Sequence, residues 1–306
     1  MATTTAAGQP IEQIVVFGDS LSDNGNRVVL SASTRFWYGL YRRLYGLLCG
    51  NKTNAFMGGR HTDGPVAVEV LAQQFGLSLE PAWAVPGGTN FAVSGALVRQ
   101  AGVARSLEQQ IDEYFERIGG ETTLSADTLF VVYIGGNDVL QGSSLGREQG
   151  EQHMARAADG IGTAIRRLAA RGAKRFLVPN QGDVGNTPML RRFWHREGRG
   201  RAATRLSLFF NCRLAPILDA LEKELDIAIA RIDAITLGRR LRADAAKHGW
   251  TNITDSCLFT FCGCRFDEYF FFDGLHPTAS RHRLNGQVLI EATTNLALDS
   301  LSVSGC

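Results

Sequence analysis

The chain has 306 residues, a 44% apolar share and a formal net charge of only +2. That is ample for a sizeable core, and so slight a charge excess gives no footing for general nucleic-acid binding. No run is apolar for long enough to span a bilayer as a helix.

Met1 to Pro10 is rich in Ala and Thr and has neither a basic start nor an apolar core. It reads as a disordered lead-in and not as a signal peptide. Ile14-Val-Val-Phe17 then breaks into Gly18-Asp-Ser20-Leu-Ser-Asp-Asn-Gly25-Asn. A short apolar run ending in turn-forming residues predicts a buried parallel strand that spills into a loop at its carboxyl end. Ligands of open α/β sheets sit at such ends, which makes Ser20 a candidate for chemistry. Taken alone, Ser20 would equally serve as a turn residue or helix cap.

Residues 27–50 differ from the rest, with Phe36, Trp37, Tyr38, Tyr41 and Tyr45 set among Arg35, Arg42 and Arg43. They predict either a lid over the site or a surface helix that turns its aromatics inward. Pro65 opens a helix that ends at Gly76, and residues 83–90 are loop. A helix follows over 107–118, and a second strand, Leu129 to Ile134, breaks into Gly135-Gly-Asn137-Asp138. Apolar residues at helical spacing from Met154 to Leu168 predict a helix ending at Gly172. Lys174 to Val178 is a third strand and Asp226 to Arg231 a fourth, with a long helix between them that Pro216 should kink or break in two. Another helix runs to about His248, and a last one from about Ala279 to Leu298. Phe209-Phe210 and Phe270-Phe271-Phe272 are core residues by composition, with an acyl pocket as their other use. Strands and helices alternate at βαβ spacing without an internal repeat, so residues 11–306 are expected to form one α/β domain, with 27–56 as the candidate lid or access insertion.

The six cysteines include the cluster Cys257, Cys262 and Cys264. The spacing lacks a paired zinc half-site and no nearby His completes one, so a short disulfide from Cys257 to Cys262 or to Cys264 is expected. That favours a secreted or periplasmic location with the leader removed, the other reading being a cytoplasmic one.

Four separated blocks carry chemistry: Ser20 after the first strand, Asn90-Phe-Ala-Val-Ser-Gly95, Asn137 after the second strand, and Asp273-Gly-Leu-His276 ahead of the last helix. Ester cleavage needs a hydroxyl nucleophile, an imidazole to take its proton, a carboxylate to orient that imidazole and donors for the oxyanion. Asp273 and His276, three apart, can supply orienter and base from one turn. Gly95 can offer a closely placed N–H, and Asn137 a side-chain amide.

In order and composition the blocks resemble those of the GDSL, or SGNH, hydrolases, over nearly the whole chain. Gly18-Asp-Ser20-Leu resembles the family's name motif. Gly64-Pro-Val and Val178-Pro-Asn-Gln-Gly-Asp resemble its lipase and acylhydrolase branch. The resemblance implies a flavodoxin-like three-layer α/β/α sandwich with a mainly parallel sheet and a shallow, solvent-accessible site. It implies neither a metal nor an organic cofactor. It makes Ser20 the nucleophile, His276 the base and then the acid, and Asp273 the orienter. Ser20, Gly95 and Asn137 become the oxyanion donors. The substrate would be a small-molecule or lipid ester, with no nucleic acid involved. The same site would also suit acyl transfer to another alcohol or lysophospholipid cleavage, while an intact Ser20, Asp273 and His276 speak against a binding protein that only kept the fold.

Overall fold

A computed structural model describes residues 10–33, 35–36, 39–40, 58–99, 104–192, 198–260 and 262–296. Its centre is a parallel sheet of β1 (Gln13–Gly18), β2 (Thr128–Tyr133), β3 (Arg175–Pro179) and β4 (Ala228–Ile232), in that spatial order. Gln13 stands beside Thr128 and Gly18 beside Tyr133, so β1 and β2 end together. On the outer edge of β1 the chain returns in parallel: Val16 N–H donates to Thr89 O (3.0 Å), and Phe91 N–H to Val16 O (2.7 Å). Counted with this edge segment the order is 2-1-3-4-5, the flavodoxin-like arrangement, whose switch point lies between β1 and β2.

Successive side chains of a strand face opposite ways, and here both faces are covered. Val15, Phe17, Phe130, Val132, Phe176 and Val178 share a core with α-helices from one side. Ile14, Val16, Leu129, Val131 and Leu177 share another with helices from the opposite side. This is why the strands read as unbroken apolar runs.

In chain order the helices are α1 (Asn26–Leu30), α2 (Ala67–Gln74), α3 (Leu107–Ile118), α4 (Gly136–Gly142), α5 (Arg147–Ala169), α6 (Pro188–Arg192), α7 (Arg199–Leu225), α8 (Ala234–Ala243) and α9 (Ala279–Thr294). Local chemistry starts several of them. Ser106 and Gln109 form a reciprocal capping box on α3, and Asp233 accepts from Ile235 and Thr236 at the start of α8. Helices α3, α5 and α7 lie on the first face; α2 and α9 lie on the second.

Of the two outcomes expected at Pro216, a kink or a break in two, the break does not occur: α7 runs through Pro216 as one element. Leu206, Phe210, Leu214, Leu218 and Leu221, all buried, hold both halves to the same core, which outweighs the missing backbone donor.

A second, two-stranded parallel sheet, β5 (Asn252–Ser256) with β6 (Tyr269–Phe271), stands apart from the first. It was not legible as strands, because Asn252-Ile-Thr-Asp-Ser has no apolar run and lies half exposed. Beside it Cys257 pairs with Cys262, which settles the choice left open above. Cys212 and Cys264 are also disulfide-bonded.

Of the aromatic and basic stretch, Phe36 and Leu40 are exposed rather than turned inward. Trp37, Tyr38 and residues 41–57 lie outside the described residues, as does the lead-in over 1–9. No described helix is long and apolar enough to cross a membrane.

Candidate functional site

Ser20 sits in a tight turn at the end of β1. The strand is closed off by Gln110, whose side-chain amide accepts from Gly18 N–H and donates to Gly18 O, both at 2.9 Å, as a neighbouring strand would. A Cβ on Gly18 would stand 2.7 Å from Tyr133 O, so only glycine lets β1 and β2 meet this closely. Ser22 and Asp23 N–H groups then fold back onto Asp19 O.

Below this turn the second block is tied to the first through buried polar side chains. Asp23 accepts from Gly25, Asn26 and Ser94 N–H and from the Ser94 hydroxyl. Asn90 donates to Ser22 O and Asn24 Oδ1 and accepts from Ala92 N–H. Asn26 donates to Asn90 O and Ala92 O. Every member is fully buried or nearly so, and a half-satisfied network costs more than none. Asn90→Ala is therefore expected to destabilise the fold by roughly 3 kcal/mol, since it strands several buried groups at once. A urea midpoint close to that of the parent protein would contradict this reading.

The last block is positioned by β6. Phe271 and Pro277 form an antiparallel bridge, and Phe272 N–H donates to His276 O (2.9 Å), closing residues 272–276 into a compact loop. Inside it Asp273 Oδ1 accepts from Leu275 N–H (2.8 Å) and His276 N–H (2.7 Å). The Asp273 carboxylate lies 2.7 Å from His276 Nδ1 through Oδ2, and His276 Nε2 lies 2.7 Å from Ser20 Oγ. The fold thus brings Ser20, His276 and Asp273 into one hydrogen-bonded line.

Gly95 and Asn137 border the same cavity as Ser20. Gly95 has φ +87°, and a Cβ there would meet nothing closer than 3.8 Å, so its conformation and not lack of room calls for glycine. Asn137, in the first turn of α4, donates to Ala96 O (3.0 Å), which fixes its amide and leaves its second N–H available. Neither Ser20 N–H nor Gly95 N–H has an acceptor among the described residues.

Charge is distributed unevenly across the site. For Asp273, burial works against ionisation, but the charge and hydrogen bond of His276, helped by the two backbone donors, hold it well below the carboxylate range. For His276, burial pulls the pKa down, yet Asp273, with Asp19 behind it, raises it above the usual 6.5. Burial pushes the Asp19 carboxyl up to about 6 even though Leu21 N–H binds it.

His61, which the sequence reading passed over, stacks on His276 with ring centroids 4.6 Å apart. Its Nδ1 is 4.0 Å from Asp273 Oδ2. Burial, and then the proximity of His276, lower its pKa to about 3, so it stays neutral. The loop that carries it is anchored by Asp63, which accepts from Ala279 N–H (2.8 Å) at the start of α9. The only local signal was its place just before Gly64-Pro65. His61, Asp273 and His276 are close enough to share a cation, but both His276 nitrogens are already engaged, with Asp273 and Ser20.

The cavity has a volume of about 500 Å³. Its lining reaches from Ser20 and His276 to residues of α8 and α9, with Tyr133, Ile232 and Leu289 among them. Phe271 borders it, whereas Phe210, Phe270 and Phe272 are core.

Comparison with known proteins adds the family. The chain is 25% identical to a GDSL lipase of Tanacetum cinerariifolium, over 90% of this chain and 83% of the relative. It is 27% identical to acetylajmalan esterase 2 of Rauvolfia serpentina, over 92% and 90%. A carbohydrate acetylesterase family member from Sinorhizobium meliloti superposes with a TM-score of 0.45 at 15% identity, covering 93% of this chain and 98% of that one. The sequence model of the GDSL-like lipase/acylhydrolase family matches residues 14–288, which is most of the chain. The protein belongs to that family and is a carboxylic ester hydrolase.

Proposed function

We propose that the protein cleaves esters through an acyl-enzyme on Ser20, with His276 and Asp273 completing a triad. The observation that carries this is the line Ser20 Oγ to His276 Nε2 to Asp273 Oδ2, with both steps at 2.7 Å. Neutral His276, protonated on Nδ1 toward Asp273, takes the Ser20 proton on Nε2 as Oγ attacks the ester carbonyl carbon. The carbonyl oxygen becomes an oxyanion facing Ser20 N–H, Gly95 N–H and the spare Asn137 N–H. The tetrahedral intermediate collapses, the carbon–oxygen ester bond breaks, and His276 returns the proton to the leaving alkoxide. Water, deprotonated by the same nitrogen, then releases the acid and restores Ser20.

Hydrolysis of p-nitrophenyl esters from acetyl to palmitoyl tests this, together with an acyl-enzyme burst at high enzyme concentration. Turnover of none of them would overturn it. Relatives named as a lipase and as acetylajmalan esterase are the reason for spanning short and long acyl groups. A secreted or periplasmic setting is supported by the Cys257–Cys262 disulfide.

Asn137→Ala should lower kcat by about 10²–10³-fold with KM little changed, since an oxyanion donor acts in the transition state. A loss of only a few-fold would remove Asn137 from the mechanism. The acid side of the kcat/KM profile follows from His276. It must be neutral to act, and its pKa is raised, so activity should fall with a midpoint above 6.5. Initial rates across the neutral range check this; a midpoint at or below 6.5 would contradict the coupling to Asp273.

A further inference from the structure

The cavity wall holds two arginines that the chemistry above does not use. Arg242 of α8 and Arg281 of α9 border the same cavity as Ser20. Both stack on one aromatic pair: the Arg281 guanidinium carbon lies 3.9 Å from the Phe270 ring centre and that of Arg242 lies 4.9 Å from it, with Phe271 at 5.4 and 5.5 Å. Two like charges thus lie against one aromatic ring.

Neither has a carboxylate partner within ion-pair distance among the described residues. Arg242 donates only a long bond, 3.4 Å, to Asn186 O, and the Nε of each arginine is buried without an acceptor. Asp183, also on the cavity wall, acts on Arg242 from a distance and accepts from Thr204 Oγ (2.6 Å). Asp19 lies on the wall as well, nearer Ser20, and Arg27 and Arg239 add positive charge to the rim. A buried cation normally has an anion beside it, because aromatic stacking supplies no acceptors for its N–H groups. Burial and repulsion from Arg242 lower the Arg281 pKa to about 9, which marks a charge lacking its counterpart.

The same cavity is lined by the aliphatic side chains of Ile232, Ile235 and Leu289. One cavity therefore holds Ser20, an aliphatic wall and two guanidinium groups. We propose that these two arginines form an anion subsite, and that the protein selects esters carrying a carboxylate or similar anion on an aliphatic spacer. The proposal rests on Ser20 being the reacting group. Planar guanidinium forks suit a carboxylate bidentately, which a lysine would not reproduce.

The anion can reside on the acyl side or on the alcohol side, and two matched pairs separate these. For the acyl side, p-nitrophenyl hydrogen adipate is compared with p-nitrophenyl hexanoate; for the alcohol side, γ-acetoxybutyrate with butyl acetate. In at least one pair kcat/KM should favour the anion by about tenfold or more, as expected for one charge-assisted hydrogen-bonded contact. Arg281→Gln should bring that ratio toward one, mostly through KM. Arg242→Gln, at the less buried arginine, serves if the first variant fails to fold.

Preference for the neutral ester in both pairs would overturn the proposal, as would a ratio that neither variant moves. If no ester in either pair is hydrolysed, the triad reading fails instead. Calorimetric titration with monomethyl adipate then decides the subsite on its own. Saturable binding that Arg281→Gln abolishes supports it, and absence of binding, or binding indifferent to both variants, overturns it.

Discussion

Ser20→Ala is expected to lower kcat by about 10⁴–10⁶-fold while leaving the thermal midpoint within a few degrees of the parent's. The two halves of this expectation have separate causes. Ser20 Oγ makes one side-chain contact, to His276 Nε2, and the residue is only partly buried at the cavity wall. Removing it strands no buried donor and opens no core cavity, so the fold should hold. The imidazole, its orienter and the oxyanion donors all stay in place. They have no nucleophile to activate except water, which lies farther from the carbonyl and is poorly oriented. Residual activity within 100-fold of the parent, measured on the same ester at saturating concentration, would mean that another group attacks. Partial retention would point to His61, which stacks on His276.

Asp273→Asn should cost about 10⁴-fold in kcat, almost as much as losing the nucleophile. The carboxylate does two jobs here. Oδ1 accepts from Leu275 and His276 N–H and so shapes the loop; both oxygens accept from His276 Nδ1, at 2.9 and 2.7 Å. An asparagine can keep its oxygen on the backbone donors and leave the loop intact. Its amide nitrogen then faces His276 Nδ1, which must become an acceptor, so the ring proton moves to Nε2. That nitrogen would donate toward Ser20 when it needs to accept. Loss of the negative charge also removes most of what raises the His276 pKa, leaving Asp19, and the acid limb of residual activity should move to lower pH. A kcat reduction below 100-fold, or an acid limb that stays put, would show that Asp273 supports the loop and nothing more.

The strands and the pairing of Asp273 with His276 were legible for one shared reason: each depends on chemistry local to a short stretch. Ile14 to Phe17 had to be apolar on both faces, and the loop after it had to be polar. Asp273 and His276 meet within one turn, so their spacing already encodes their contact. What escaped notice depends on partners far away in the chain. The continuity of α7 through Pro216 is decided by the core it lies on. His61 gains its place only because Asp63 is bound to Ala279, 216 positions later. Arg242 and Arg281 come from separate helices and meet only because the fold brings both against Phe270. In the β5–β6 pair, β5 carries little strand signal of its own and takes its place by pairing with β6.

The bond between Ser20 and His276 spans 256 positions. During synthesis the nucleophile's turn leaves the ribosome early and the imidazole leaves near the end, at a rate of about 5–20 residues per second. For many seconds the nascent chain therefore carries a serine with no base, and so no means of attacking the esters around it. The hydrogen-bonded line can close only when the segment after β6 docks against β1 and the loop before α2. The order in which the chain is made thus sets when Ser20 gains its partner.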